Sequence, residues 1–178
     1  MDLGVVSVRY ARALLKSAVA MNADAEVYGN MQLLAASYIN VPQLRFTIDN
    51  PMLDKKQKQA LLETACGTNP SALTKRFIEL VLEEGRENAL QLMANSFVTL
   101  YRKQKNITLG RLITATAVSP ETEAKMKQMV ETKTQGTVEF ETEINPDLIG
   151  GFILEYDTYR LDASVRSKLN SILNTLKK

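Results

Sequence analysis

Apolar positions recur at helical spacing through the first hundred residues and then change period. From Ser7 to about Met21, Tyr10, Leu14, Ser17 or Ala18 and Met21 fall on one face, with Ser7 as a candidate N-cap. With residues set at about 100° intervals, Val8, Leu15 and Val19 lie on one flank and Ala13 and Ala20 on the other. Only Arg9, Arg12 and Lys16 remain as a polar strip. One neighbouring element cannot cover so wide an apolar surface. A second helix has Asp24 as its candidate cap and Val27, Met31, Leu34, Tyr38 and Val41 on one face until Pro42 interrupts the pattern. Leu44-Arg45-Phe46 leading to Asn50-Pro51 reads as a loop. Asp54 is the candidate cap of a short helix through Leu61, Leu62 and Ala65 that Gly67 ends, with Lys55, Lys56 and Lys58 in a solvated first turn.

Asn69-Pro70 is a start signal for a helix that runs through Glu84 and stops at Gly85. Leu73, Phe77, Leu80 and Val81 form its inner face, while Ile78 and Leu82 add a second stripe, so here too apolar surface is in surplus. From Asn88 onward, Leu90, Met93, Ala94, Phe97, Leu100 and Tyr101 share one side, the pattern of a purely structural helix. Arg102 to Asn106 is a polar break, and a domain boundary is expected near residue 106. Beyond it, Ile107 to Val118 reads as a strand. Ser119-Pro120-Glu121 starts a helix carrying Met126, Met129 and Val130, and Gly136 closes it. Val138, Phe140, Thr142 and Ile144 alternate with Thr137, Glu139, Glu141 and Glu143, the period of a half-buried strand. The turn chemistry of Asn145-Pro146-Asp147 predicts a hairpin to a second strand in which Phe152, Leu154 and Tyr156 alternate with Ile153, Glu155 and Asp157. Gly150-Gly151 removes two side chains where that strand begins, which permits a bulge or a close backbone approach. Asp162 or Ser164 caps a last helix with Val165, Leu169, Ile172 and Leu176 in one stripe and Lys177 and Lys178 at its end.

Composition narrows the function more than it changes the fold. The chain holds 22 Lys plus Arg against 20 Asp plus Glu, too near neutrality for a nucleic-acid groove or a polybasic membrane surface. No apolar run approaches the roughly 20 residues of a membrane span, and the first residues lack the pattern of a signal peptide, so a cytosolic protein is expected. There is no histidine, which removes the commonest general acid–base and metal ligand, and the single cysteine, Cys66, has no partner for an intramolecular disulfide. No metal or cofactor site is expected.

The candidate constellations are weak as chemistry. Gly150-Gly151 precedes a strand, whereas a phosphate loop precedes a helix, and neither dinucleotide nor P-loop spacing occurs. Glu79, Glu83, Glu84 and Glu87 cluster around a helix end, but such residues are ordinarily a solvated face, Glu84 lying nearest the inner one. Cys66 beside Gly67 reads as packing, since a nucleophile there would want a histidine. The alternating glutamates from 139 to 143 read as a charged outer face that discourages edge pairing.

Three sets of residues nevertheless converge: Arg9-Tyr10-Ala11-x-Ala13-Leu14; Glu84-Gly85-Arg86-x-x-x-Leu90; and Asn145-Pro146-Asp147-Leu148-Ile149-Gly150-Gly151 followed by Asp162-x-Ser164-Val165-Arg166-x-x-Leu169. With them the chain resembles, over nearly its full length, the delta subunit of bacterial F-type ATP synthase, homologous to the mitochondrial oligomycin sensitivity-conferring protein. Ala163 and Ser167 stand where that family often has glycine, departures confined to the start of the last helix. The resemblance implies an α+β chain: an N-terminal six-helix bundle over residues 1–105, then a small strand-helix-hairpin-helix domain over 106–178. It implies a non-catalytic stator subunit, peripheral at the cytoplasmic face of the membrane, whose first domain binds N-terminal segments of alpha subunits and whose second binds the b subunit of the peripheral stalk. On that reading Tyr10, Ala13 and Leu14 on one helix and Arg76 and Leu80 on another contact the alpha segment. Gly150, Gly151, Asp162, Ser164, Val165 and Arg166 form a structural motif. A helical adaptor or nucleic-acid-binding module is the alternative reading.

Overall fold

The structure, a computed structural model, describes residues 3–134, 136–156 and 158–176. Lys177, Lys178, Asp157 and the side chain of Leu176 lie outside the described residues. The chain divides into two compact units between Lys103 and Gln104. In the first, α1 is Leu3–Ala20, α2 Asp24–Asn40, α3 Pro42–Asp49, α4 Lys55–Ala65 and α5 Ala72–Glu83, followed after a 3₁₀ turn at Glu87–Ala89 by α6 Leu90–Lys105, whose last two residues cross into the second unit. The second contains β1 Ile107–Thr114, α7 Pro120–Thr134, β2 Thr137–Ile144, a 3₁₀ turn Pro146–Leu148, β3 Phe152–Tyr156, β4 Tyr159–Asp162 and α8 Val165–Leu176. The fold is α+β.

Several boundaries follow from local chemistry. Asn22 and Asn106 take left-handed φ of 53° and end α1 and α6. After Asn22 the Ala23 N–H reaches back to the Ala18 carbonyl at 2.9 Å. Ser7 is not a cap, because α1 starts earlier; its hydroxyl donates to the Leu3 carbonyl at 2.6 Å inside the helix. The core face of α1 is also rotated from the expected one: Val6, Ala11, Leu14, Leu15 and Ala18 are buried, while Met21 is exposed. Pro42 does not open a loop. It occupies the first turn of α3, where its fixed φ suits a helix and its missing N–H costs nothing. The cap of α5 is Ser71, whose hydroxyl accepts from the Thr74 N–H at 3.1 Å, one residue after the expected proline start.

Lys58 is not solvated. It is buried, and its Nζ donates to Glu87 Oε1 at 2.9 Å. Asn30 is a second buried polar joint, linking α2 to the segment that leads into α5. Its Oδ1 accepts from the Ser71 N–H and the Thr74 hydroxyl, both at 3.0 Å, and its Nδ2 donates to the Cys66 carbonyl at 3.3 Å. Around these joints Met31, Leu34, Leu62, Ile78, Leu90, Met93 and Phe97 are fully buried.

In the second unit the sheet order is β2-β1-β3-β4. The expected hairpin between the strands at 137–144 and 152–156 does not form: β2 pairs in parallel with β1 from Ile107–Thr137 to Thr114–Ile144, and β3 pairs antiparallel with the other edge of β1. The cause is α7, a crossover that brings β2 back beside β1 and leaves one edge of β1 for β3. The hairpin is instead β3–β4, closed around Tyr156 and Tyr159. Leu112, Val138 and Leu154 meet Val130 of α7 in a small core, with Met126, Phe140, Phe152 and Tyr156 packed against it. β1 ends at Thr114, short of Val118, and Thr142 and Ile144 of β2 are exposed.

Candidate functional site: a groove between α1 and α5 and an uncovered helix

The surplus apolar surface of α1 and α5 meets in one open groove of about 840 Å³. On α5 the buried stripe is Thr74, Ile78, Val81 and Leu82, with Phe77 at its margin. That orientation turns Leu80 outward, 45% exposed, so it is not the inner-face residue its spacing suggests. All five residues placed on the alpha-subunit contact by resemblance, Tyr10, Ala13, Leu14, Arg76 and Leu80, line this groove. Leu14 is buried and forms the floor, Tyr10 is half-buried, and Ala13 and Arg76 are exposed.

Tyr10 is held from two sides. Its ring meets Phe77 edge-on with centroids 6.5 Å apart, and the Arg86 guanidinium lies over it at 5.3 Å. Arg86 reaches that position because Gly85 adopts φ +61° after α5, and the Arg86 N–H then bonds the Val81 carbonyl at 3.0 Å. Spacing alone does not put Arg86 on the Tyr10 ring. The Glu84-Gly85-Arg86 motif was the available signal, read only as a family mark. Glu79, Glu83 and Glu84 are exposed along the groove, whereas Glu87 turns away to Lys58, so the four glutamates do not form one cluster.

In the second unit the motif residues build the start of α8. Gly151 has φ +75°, and a Cβ there would collide with the Ala163 carbonyl oxygen, the close approach that the glycine pair predicts. The Val165 N–H bonds the Gly150 carbonyl at 2.9 Å, and the Ser164 hydroxyl caps the helix by accepting from the Ser167 N–H at 3.2 Å. Asp162 accepts from the Ser167 hydroxyl at 2.7 Å and the Ser164 N–H at 2.9 Å. The Ser167 hydroxyl first, then the Ser164 hydroxyl and N–H, bring the Asp162 carboxyl down to about 2. Arg166 is exposed. The helix thus fixed leaves its apolar stripe uncovered: Val165, Leu169, Ile172 and Leu173 are all exposed. Ile149, in the loop before Gly150, is 66% exposed at φ +67°, a strained conformation for a β-branched residue.

Cys66 is buried, and desolvation pushes its thiol up to about 12, the reverse of what a nucleophile needs. Among the described residues no three Cys, Asp or Glu side chains gather as a metal-binding group, and no helix is long and apolar enough to cross a membrane. A groove floored by aliphatic and aromatic side chains and an uncovered amphipathic helix, on two separate compact units, are surfaces of the kind that seat partner helices.

The comparisons give the chain a family. A family model described as ATP synthase delta (OSCP) subunit matches residues 6–176. An ATP synthase subunit delta of Phocaeicola vulgatus is 47% identical over 173 residues, covering 97% of this chain and 94% of that protein. One of Parabacteroides distasonis is 39% identical, with 97% and 96% covered. A chain in the Toxoplasma gondii mitochondrial ATP synthase hexamer shares the fold at TM-score 0.65 and 22% identity, with 97% of each chain covered. The chain belongs to the ATP synthase delta (OSCP) subunit family, structural rather than catalytic components of ATP synthase.

Proposed function

We propose that this chain is the tether of the peripheral stalk, a stator that holds the catalytic head of an F1Fo ATP synthase against rotation while ion flow turns the rotor. Residues 1–105, as a six-helix bundle, take the N-terminal helix of an alpha subunit in the α1/α5 groove through Tyr10, Ala13, Leu14, Arg76 and Leu80. Residues 106–178 take the C-terminal region of the b subunit on the uncovered stripe of α8, with Ile149 beside its start. The assembly places the chain at the cytoplasmic face of the membrane without lipid contact of its own. The observation that carries this reading is the open groove, along which Leu80 stands exposed and Tyr10 and Leu73 are only half-buried. Burying three or four aliphatic side chains there contributes on the order of 6 kcal/mol before ordering costs are subtracted. A nucleic-acid reading has no support in charge, since the groove carries both signs and the chain is only +2.

The test uses the full-length chain and two surface variants. Leu80→Asp is expected to lose an alpha N-terminal segment in a pull-down while retaining b. Leu169→Asp combined with Ile172→Asp is expected to do the reverse. If either variant loses both partners or neither, the assignment of one partner to each unit is wrong.

A further inference from the structure

The two lips of the α1/α5 groove carry opposite charge. On α1, Arg9, Arg12 and Lys16 follow at three and four residues and form one exposed ridge, of which only Arg9 borders the groove; Arg12 and Lys16 border the shallow depression on the far side of α1, and Arg9 and Ala13 border both. On α5 the equivalent ridge is Arg76, Glu79 and Glu83, with Glu84 just beyond the helix end, all exposed. Along the groove α1 therefore presents the single cation Arg9, and α5 presents three carboxylates against the single cation Arg76. Among the described residues none of these seven side chains has an ion-pair partner within 4.0 Å. The carboxylates of the α5 lip do not reach Arg9 across the open groove.

We propose that these lips fix the direction in which the partner helix lies. This rests on the groove being the seat of an amphipathic helix. An apolar stripe alone lets such a helix enter either way round, because turning it end for end leaves the stripe on the floor. Turning it exchanges its two flanks, however, so opposite lips admit one direction and oppose the other. The matching segment carries acidic side chains on the flank against α1 and basic side chains on the flank against α5.

The test uses two synthetic helical peptides of identical composition and apolar stripe, one with Glu on the left flank and Lys on the right, the other with the flanks exchanged. Each carries a spin label at its N-terminus and is added to the full-length, isotope-labelled chain. The expected result is broadening of amide signals near Tyr10 and Arg86 for one peptide and near Ser17 and Leu73 for the other. Affinity should fall about tenfold between low and high salt, because the pairs are exposed. In the Glu79→Lys/Glu83→Lys variant each peptide should broaden both ends. Broadening of the same end by both peptides, or of both ends in the parent chain, would overturn the directional role and leave the groove reading standing. Absence of any broadening at groove residues would overturn the groove reading itself.

Discussion

The hydroxyl of Thr74 in α5 donates to the side-chain oxygen of Asn30 in α2 at 3.0 Å, although the two residues stand 44 positions apart. The same oxygen accepts the Ser71 N–H, so the N-terminus of α5, and with it one wall of the groove, is fixed by one buried amide. Asn30→Leu leaves an N–H, a hydroxyl and the Cys66 carbonyl without their partner and should cost about 2–4 kcal/mol. Thr74→Val should cost about 1 kcal/mol. Because both act on one network, the double variant should lose less than the sum, which thermal and denaturant melts of the four proteins in the cycle will show.

The Lys58–Glu87 pair ties α4 to the turn before α6. Burial by itself would raise the Glu87 pKa, but the hydrogen bond from Lys58, a local backbone hydrogen bond and the charges of Lys58 and Lys55 outweigh it, and the net shift is downward. A carboxyl with a lower pKa in the folded than in the unfolded chain contributes stability above its unfolded pKa and loses it as pH falls through the folded one. Glu87→Gln should therefore lower the melting temperature at pH 7, by about 1–2 kcal/mol of stability given that the carboxylate is partly exposed. Its difference from the parent should shrink as pH drops below the ordinary carboxylate range. Lys58→Met with Glu87→Leu should stay within about 1 kcal/mol of the parent, since neither charge is left alone.

Glycine positions separate space from conformation. Gly151→Ala combines a left-handed φ with a collision against the Ala163 carbonyl and should destabilise the second unit by about 2–4 kcal/mol. Gly29, inside α2 with nothing within 4 Å of a built Cβ, is the contrast. Gly29→Ala should stabilise by about 0.5–1 kcal/mol through helix propensity. Hydrogen exchange locates each effect: protection should fall in β3 and at the start of α8 for the first and rise in α2 for the second.

Long, strongly periodic elements were legible in the sequence because their signal is local. The inner faces of α2 and α6 and the capped start of α8 follow from spacing and cap residues alone. Where two readings shared the same local signal, a distant contact decided. Pro42 looks the same as a helix end or a helix start. Lys58 looks the same as a solvated lysine until the turn before α6 supplies Glu87. The turn at Asn145-Pro146-Asp147 does form, with Asn145 Oδ1 accepting the Asp147 N–H at 3.0 Å, yet it joins β2 to a strand on the far side of β1, because parallel pairing through α7 had already taken the nearer edge. The groove was legible as surplus apolar surface on two helices. Which residues face it followed from the resemblance and not from spacing, which put Leu80 inside, since rotation of α1 and α5 depends on what each packs against.

That rotation makes Ala13 the sharpest probe of the groove. Ala11 and Ala13 stand two residues apart on α1, but Ala11 is fully buried and Ala13 is exposed on the groove crest. Aspartate at position 11 must place an unpaired carboxylate in the core, which costs several kcal/mol, and the fold should be lost. Aspartate at position 13 stays in water in the free chain, where the helix propensity difference amounts to about 0.5 kcal/mol, so its melting temperature should move by no more than about 4 °C. Once a helix fills the groove, the same carboxylate must be desolvated against the apolar stripe of the partner. Its affinity for an alpha N-terminal peptide should fall by about tenfold or more. Ala13→Ser, small and uncharged, should bind nearly as the parent does. Calorimetric titration and a thermal melt on each variant decide the matter together: undiminished affinity in Ala13→Asp removes Ala13 from the contact, and unfolding of that variant returns it to the core.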